Sequence, residues 1–274
     1  MKHLHPQEAI QDLLQNEWIT YRCLIKTNRK HPSEKTIHEL RIHIQKLLVA
    51  IELAASVLGK SPPTPLVHQL KKTKKRLNSL RDLHIELRWV NLTNDSKLKS
   101  FKAHLKKHEL KISNQAKKHL CGVSLAKQKQ FIKSTKESLG KPKNRLSFTK
   151  VKSRIETQIN RAIAQVKSAQ HVHDGERPKQ LHRLRIHSKH LRYLGEAQKQ
   201  VLGHTHVNLL RVKKIQSALG KTQDHVVLLK DINHYLKHHH QDQWVQLFKN
   251  QVDEQKKIIG TTSTQLVEKT EWHH

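Results

Sequence analysis

A histidine, two arginines and a lysine follow one another at helical spacing in the segment LHRLRIHSKHLRYLGE. Placed on an ideal helix, His182, Arg185, Lys189 and Arg192 fall within about 80° of arc and extend along about 15 Å. Arginine offers a planar pair of donors to phosphate oxygens, and lysine offers a mobile positive charge. The spacing therefore predicts a helix face that binds a linear anion with a charge every few ångströms. We call this row of side chains, and its counterpart in the first half of the chain, a stripe.

The same pattern stands earlier in the chain, in IHELRIHIQKLLVAIE, where His38 and Arg41 precede their counterparts by 144 residues. Gln45 and Leu48 replace the later lysine and arginine, and Lys46 lies alongside. Two copies at a fixed offset indicate an internal duplication. We expect the first copy to contribute less binding energy than the second, because it carries fewer cations.

Each copy is followed by a second basic segment, LKKTKKRLNSLRDLHIEL in the first half and LLRVKKIQSALGKTQDHVVLL in the second. Matching Asp82 to Asp224 brings the lysine pairs of the two segments into register. If these helices pack beside the stripe helices, their basic side chains line a shared groove that focuses the field. The two aspartates are then expected to orient an arginine or histidine rather than to act as catalytic bases.

The formal net charge is +31, from 53 Lys and Arg against 22 Asp and Glu. A field of that size favours a polyanionic partner such as nucleic acid, an anionic membrane or polyphosphate. The two cysteines give no disulfide framework, and no apolar run is long enough for a signal peptide or a membrane span. We therefore expect a cytoplasmic protein with no membrane partner.

Glycine and proline are scarce, and the segments between them are rich in Leu, Lys, Gln, Ala and Glu, which favour helices. An all-α fold is predicted, with residues 122–140 extending the fourth helix or forming a short one of their own. Since the duplication has its seam near residue 140, we expect two four-helix bundles, one over 1–140 and one over 141–274. A single irregular helical array is the alternative. The predicted helices span roughly residues 7–30, 34–58, 65–93, 95–120, 146–171, 178–202, 206–237 and 240–268.

Other functional classes fit the residues less well. Sequence-independent nucleic-acid binding, weak and sensitive to salt, is the alternative that the charge allows. Only 4% of the residues are aromatic, which leaves few platforms for stacking bases. A hydrolase acting on phosphate would need a carboxylate cluster for Mg²⁺, and acidic residues are sparse and dispersed. We expect no catalytic activity, no cofactor and no metal site; the oligomeric state stays open.

The stripes resemble the signature of the conserved-histidine α-helical domain, or CHAD, family. That signature is His-x-x-Arg followed by a hydrophobic residue, a lysine or arginine pair, Leu-Arg, an aromatic residue and a glutamate. The family also carries a leucine-glycine-x-x-arginine/glutamine-aspartate element. The residues similar to that element are Leu219-Gly220 with Gln223-Asp224 and, in the first half, Leu77-Asn78 with Arg81-Asp82.

The resemblance implies two four-helix bundles related by a pseudo-two-fold axis, with a central basic channel. It implies a standalone, non-catalytic module that binds inorganic polyphosphate and can associate with polyphosphate granules. By motif position, phosphate contacts are assigned to His38, Arg41, His182, Arg185, Lys189 and Arg192, supported by Lys71, Lys72, Lys213 and Lys214. To these we add the neighbouring side chains of Lys46, Lys75, Arg76, Arg81, His190 and Tyr193.

Overall fold

A computed structural model describes residues 5–93, 99–168 and 177–238, and every regular element in these ranges is helical, as the sequence predicts. The segment after residue 122 forms a helix of its own, and the helix predicted over 240–268 lies outside the described residues. The elements are α1 (Pro6–Lys30), α2 (Glu34–Leu58), α3 (Thr64–Thr93), α4 (Lys99–Cys121), α5 (Leu125–Gly140), a 3₁₀ turn (Pro142–Asn144), α6 (Phe148–Ser168), α7 (Arg177–Leu202) and α8 (Leu209–His238).

Among these helices, we find none with the length and apolar character that crossing a bilayer requires.

The ends of α2 follow from local chemistry that the sequence signals. Ser33 begins the helix with a capping box: its hydroxyl accepts from the Thr36 amide at 3.2 Å, and the Thr36 hydroxyl accepts from the Ser33 amide at 3.0 Å. Gly59 ends the helix in the left-handed region, with φ of 66°, where a side chain would be strained. Both predicted boundaries are confirmed, so the register of the α2 stripe is fixed from both ends.

The two halves of the chain share one apolar core. It takes buried side chains from all eight α-helices, and α1 and α2 lie at its centre. Tyr21 of α1, Leu47 of α2 and Tyr193 of α7 belong to it and are each at most 2% exposed. Because the core continues across residue 140, the helices that carry the two stripes are held against each other by ordinary hydrophobic packing.

Polar contacts reinforce the junction between the halves. Gln7 of α1, 3% exposed, donates to the carbonyls of Leu139 and Asn144 at 3.0 and 2.9 Å and accepts from the Leu146 amide at 3.0 Å. The Gln7 side chain therefore fixes the connection between α5 and α6 to the first turn of α1. A buried amide with all these partners satisfied specifies one arrangement of the backbone.

A second contact of this kind joins α6 to the end of α2. The Arg154 guanidinium donates to the carbonyl of Ser56 at 3.1 Å and also to that of Val57. The last carbonyls of a helix have no partner within the helix, and a cation there is favoured by the helix dipole. The second half of the chain therefore caps a helix of the first.

A smaller apolar cluster joins the later part of α3 to the start of α4 and to α8. It borders a cavity of about 400 Å³ whose lining includes Glu86 and Asp231. Glu86 is 1% exposed. Burial and the negative charges of Asp231 and Asp82 raise the pKa of Glu86 to about 9. The carboxyl is therefore neutral in the folded protein at physiological pH.

The raised pKa of Glu86 predicts a stability that falls as the pH rises. The unfolded chain releases this proton near the ordinary glutamate pKa, whereas the folded protein keeps it until about pH 9, so stability is lost across that window. Replacing Glu86 by glutamine removes the titration. We expect the variant to be more stable than the wild type by about 2 kcal/mol at pH 8 and equally stable near pH 4, measured by urea unfolding.

Glu137→Gln on α5 is the matched control, because that side chain is 58% exposed. Its effect should be small at both pH values. A Glu86→Gln variant that shifts stability equally at pH 4 and pH 8 would contradict the account of a buried neutral carboxyl.

Candidate functional site

A cleft of about 720 Å³ opens between α2, α3 and α7, so its walls come from both halves of the chain. Among the described residues that line it, six lysines and arginines face one carboxylate, that of Glu52. The cations are Arg41, Lys71, Lys74, Lys75, Arg185 and Lys189, and three histidines, His182, His187 and His190, lie among them.

The α7 wall is built as the helical pattern predicts. Leu184 and Leu191 are each 1% exposed and face the core, whereas Arg185 and Lys189 face the cleft. One helix therefore anchors itself in the core with one side and presents its cations with the other. Both Arg185 and Lys189 are partly buried.

On the opposite wall, neutral amides orient the cations. Asn78 of α3 accepts from Nε and Nη2 of Arg41 at 3.2 and 3.0 Å, and Gln45 of α2 accepts a short hydrogen bond from Lys74. These are two of the positions where the first copy departs from the second in sequence. An amide fixes the direction of a cation without neutralising it, so the departures position positive charge at the cleft.

The cations of the cleft repel one another. Burial and then the positive charges of Arg41, Arg185, Lys74 and Arg192 together lower the pKa of Lys189 to about 7. Lys74 has a pKa of about 8 for the same reasons, with burial again the largest cause. Near neutral pH the unliganded cleft therefore carries part of the positive charge that its composition allows.

Arg41 stands between the cleft and a group of aspartates. Burial lowers the pKa of Arg41 to about 10, and the Asp82 carboxylate is the main charge that opposes this. The pKa of Asp82 is raised, mainly by burial and also by the Asp224 carboxylate. The positive charges of Arg41 and Arg185 oppose this increase. The aspartates of both basic segments thus lie close enough to interact with each other and with the cleft arginines.

Seven of the predicted phosphate contacts meet in the cleft: Arg41, Lys71, Lys75, His182, Arg185, Lys189 and His190. The other nine do not line it: His38, Lys46, Lys72, Arg76, Arg81, Arg192, Tyr193, Lys213 and Lys214. His38 lies near the cluster, since its pKa is lowered by desolvation and then by the charges of Arg81, Arg41 and Lys189.

Several of the other residues lie elsewhere for identifiable reasons. Tyr193 is 2% exposed in the core, and the Arg192 guanidinium stacks over its ring at 4.5 Å from the centroid. Arg81 forms an ion pair with Glu34 at 2.8 Å. Lys213 and Lys214 are exposed on α8 and are separate from the cleft.

Lys72 and Arg76 belong to a different face of α3. Together with burial, their charges lower the pKa of His119 on α4, which lies 3.2 Å from the Thr73 hydroxyl. This face of α3 therefore points toward α4. Lys71 and Lys75, each one residue earlier in the sequence, lie on the face that lines the cleft.

Lys74 and His187 line the cleft and are missing from the contacts that the sequence interpretation predicts. The signal that could have found Lys74 is the helical register of α3. Lys71, Lys74, Lys75 and Asn78 lie at i, i+3, i+4 and i+7, and all four line the cleft. When basic residues are adjacent in sequence, the helical period shows which of them share a face. It does not show which face lines the cleft unless the neighbouring helix is known.

The low pKa of Lys189 predicts that its charge costs stability when no ligand is bound. Between about pH 7 and the ordinary lysine pKa, the unfolded chain binds more protons than the folded one, so stability should rise with pH through that window. At pH 7, Lys189→Met should raise the free energy of unfolding by about 1–2 kcal/mol, with a smaller gain at pH 10. Lys199→Met, on an exposed residue of the same helix, is the control. Loss of stability in Lys189→Met at both pH values would contradict the account.

Comparison with known proteins identifies the fold. The profile of the CHAD domain matches residues 2–91 and 61–230. The crystal structure of the CHAD domain from the plant Ricinus communis is similar, with a TM-score of 0.69, 16% sequence identity and coverage of 97% of this chain and 92% of that one. No curated protein matches the sequence. The family match spans well over half of the sequence, and the chain therefore belongs to the CHAD domain family.

Proposed function

We propose that the chain binds inorganic polyphosphate in the cleft between α2, α3 and α7 and does not hydrolyse it. The observation that carries the proposal is the cluster of Arg41, Lys74, Arg185 and Lys189, which come from both halves of the chain. Burial and then the charges of Arg41 and Arg185 lower the pKa values of the two lysines. Such a cluster is stabilised by a ligand that supplies several negative charges in a row. Membership of the CHAD family supports the same ligand, and granules of polyphosphate are where we propose the protein acts.

The lining of the cleft favours a phosphate chain over nucleic acid. Proteins that bind single strands without sequence preference place aromatic rings where bases can stack. Among the described residues around the cleft, no tryptophan, tyrosine or phenylalanine is present. A ligand made of repeating phosphates needs no such platform, whereas a nucleic acid would leave its bases without partners.

The acidic groups near the cleft support binding without hydrolysis. Asp82 interacts with Arg41 and Arg185 as well as with Asp224, and it does not line the cleft. Among the described residues that line the cleft, the only carboxylate is that of Glu52. Within residues 5–93, 99–168 and 177–238, no three histidine, cysteine or acidic side chains are placed together to hold a metal ion. Phosphoryl transfer usually depends on such a metal, so a binding role accounts for the residues present.

Removing cations from the cleft should abolish tight binding. We expect the triple variant Arg41→Ala, Arg185→Ala and Lys189→Ala to bind long-chain polyphosphate at least about 100-fold more weakly at physiological salt, since hydrogen bonds to charged groups contribute about 1.5–3 kcal/mol each. Fluorescence anisotropy with labelled polyphosphate measures the change, and circular dichroism checks that the fold is retained.

The control removes the same charge from another surface. Lys106, Lys117 and Lys118 are exposed on α4 and lie outside the cleft. Their replacement by alanine should weaken binding by no more than about threefold, because exposed charges are screened by salt. Equal losses in the two triple variants would mean that attraction is diffuse and that the cleft is not the site.

Binding should also take up protons, because phosphate restores the positive charge of the lysines. As the pH rises from 7 to 9, Lys189 and Lys74, with pKa values of about 7 and 8, lose their protons in the free protein. We expect affinity to fall by about 100-fold over this range and about one proton to be taken up per complex at pH 8. Calorimetry in two buffers of different ionisation enthalpy measures the uptake. Binding without proton exchange at pH 8 would contradict the assignment of the site to these lysines.

A competition experiment separates polyphosphate from nucleic acid as the ligand. Long-chain polyphosphate should displace labelled duplex DNA and single-stranded RNA from the protein at equal phosphate concentration and physiological salt. Both complexes should weaken with salt, because both release counterions. Displacement of polyphosphate by DNA or RNA under these conditions would favour the nucleic-acid alternative.

A further inference from the structure

The charge of the cleft changes along its length. Arg41 of α2 is bonded to Asn78 of α3, and Gln45 is bonded to Lys74, so the two helices run antiparallel in a fixed register. Along α2 the lining continues through Leu48, which this register places opposite Lys71 of α3. The cations of this wall therefore lie in the part of the cleft between Arg41 at one end and the pair of Leu48 and Lys71 at the other.

One turn further along α2, the character of the wall is different. Glu52 lines the cleft about 16 Å from Arg41 along the helix axis, and the same register places the apolar side chain of Val67 opposite it. The carboxylate of Glu52 lies 3.4 Å from Nε2 of His190 on α7, and 31% of the glutamate side chain is exposed. The cleft thus ends in a negative charge and an apolar residue instead of a further lysine.

The two repeats differ in the partner of this glutamate, which explains why Glu52 faces the cleft. Its counterpart in α7 is Glu196, which pairs with Arg192 one turn earlier on its own helix at 3.6 Å and does not line the cleft. In α2 the position of that arginine is taken by Leu48. Glu52 has no arginine one turn earlier and reaches His190 of the other repeat instead.

We propose that Glu52 is an electrostatic stop that confines the phosphate chain to the cationic part of the cleft. The inference rests on the proposed function. A phosphate beside Glu52 meets a like charge, and His190, which the sequence places among the phosphate contacts, is engaged by that carboxylate. The Arg41 end lies beyond a Debye length from Glu52, which is about 8 Å at physiological salt, so a short phosphate chain held there is little affected. Glu52 therefore determines how many phosphates of a long chain the site can hold.

The test compares Glu52→Gln with Glu196→Gln, the symmetry-related change outside the cleft. With polyphosphate of about 100 units, Glu52→Gln should bind about three- to tenfold tighter than the wild type, because a like charge a few ångströms from a bound phosphate is removed. Its affinity should also depend more steeply on salt, by about one additional ionic contact. Tripolyphosphate, which the cationic part alone can hold, should bind both variants as it binds the wild type.

A second variant keeps the test independent of the glutamine change. Leu48→Arg restores the arginine that Glu196 has in α7, and it should also tighten the binding of long chains, because the new arginine neutralises Glu52. Thermal unfolding of each variant checks that the fold is retained.

Three results would overturn the inference: unchanged affinity for long chains in Glu52→Gln, equal effects of Glu52→Gln and Glu196→Gln, or an equal gain for tripolyphosphate. Each leaves the proposed function standing. If the wild type fails to bind polyphosphate of either length, the proposed function itself fails, and the two failures are thereby distinguished.

Discussion

The repulsion among cations in the cleft is the constraint on which the rest of the structure depends. Arg41, Lys74, Arg185 and Lys189 come from three helices, and burial and mutual repulsion lower the pKa values of both lysines and of Arg41. The repulsion between these positive charges opposes the formation of the cluster. The cluster exists because α2, α3 and α7 are held together by apolar side chains on their other faces, such as Leu47 and Leu191. Packing of the core stabilises the helices, and this offsets the unfavourable repulsion between the positive charges of the cleft.

This arrangement explains why the two halves are joined so thoroughly. Two separately packed bundles facing each other across a basic cleft would tend to move apart in the absence of a ligand. Here one core runs through both, Gln7 fixes the connection between them, and Arg154 caps α2 from the other half. The cleft is therefore formed in the free protein, and the binding that we propose does not have to order its walls. Preorganisation of this kind reduces the entropic cost of capturing a flexible chain.

Much of the fold could be predicted from the sequence because its signals are local. The helices, the Ser33 cap and the Gly59 stop depend on neighbouring residues, and the structure confirms them. The α7 stripe is also local, since one helical period separates Arg185 and Lys189 from the leucines that enter the core. The sequence left open whether residues 122–140 extend the fourth helix or form the separate helix α5, and it did not predict the burial of Glu86, because both depend on which helices meet.

The site was harder to predict for the same reason. A helical wheel shows which residues share a face, but not which face meets the neighbouring helix. Lys72 and Arg76 turn toward α4, Tyr193 enters the core, and Lys74 faces the cleft. Motif position also treats the two copies as equivalent, whereas the single change from arginine to leucine at Leu48 gives their glutamates different partners.

The location of the phosphate chain tests the central claim most directly. A crystal structure of the protein with polyphosphate of defined length would show it. Our account predicts phosphates in the cleft between α2, α3 and α7, within hydrogen-bonding distance of Arg185 and Lys189. Phosphates bound along the exposed lysines of α4, with the cleft unoccupied, would contradict it.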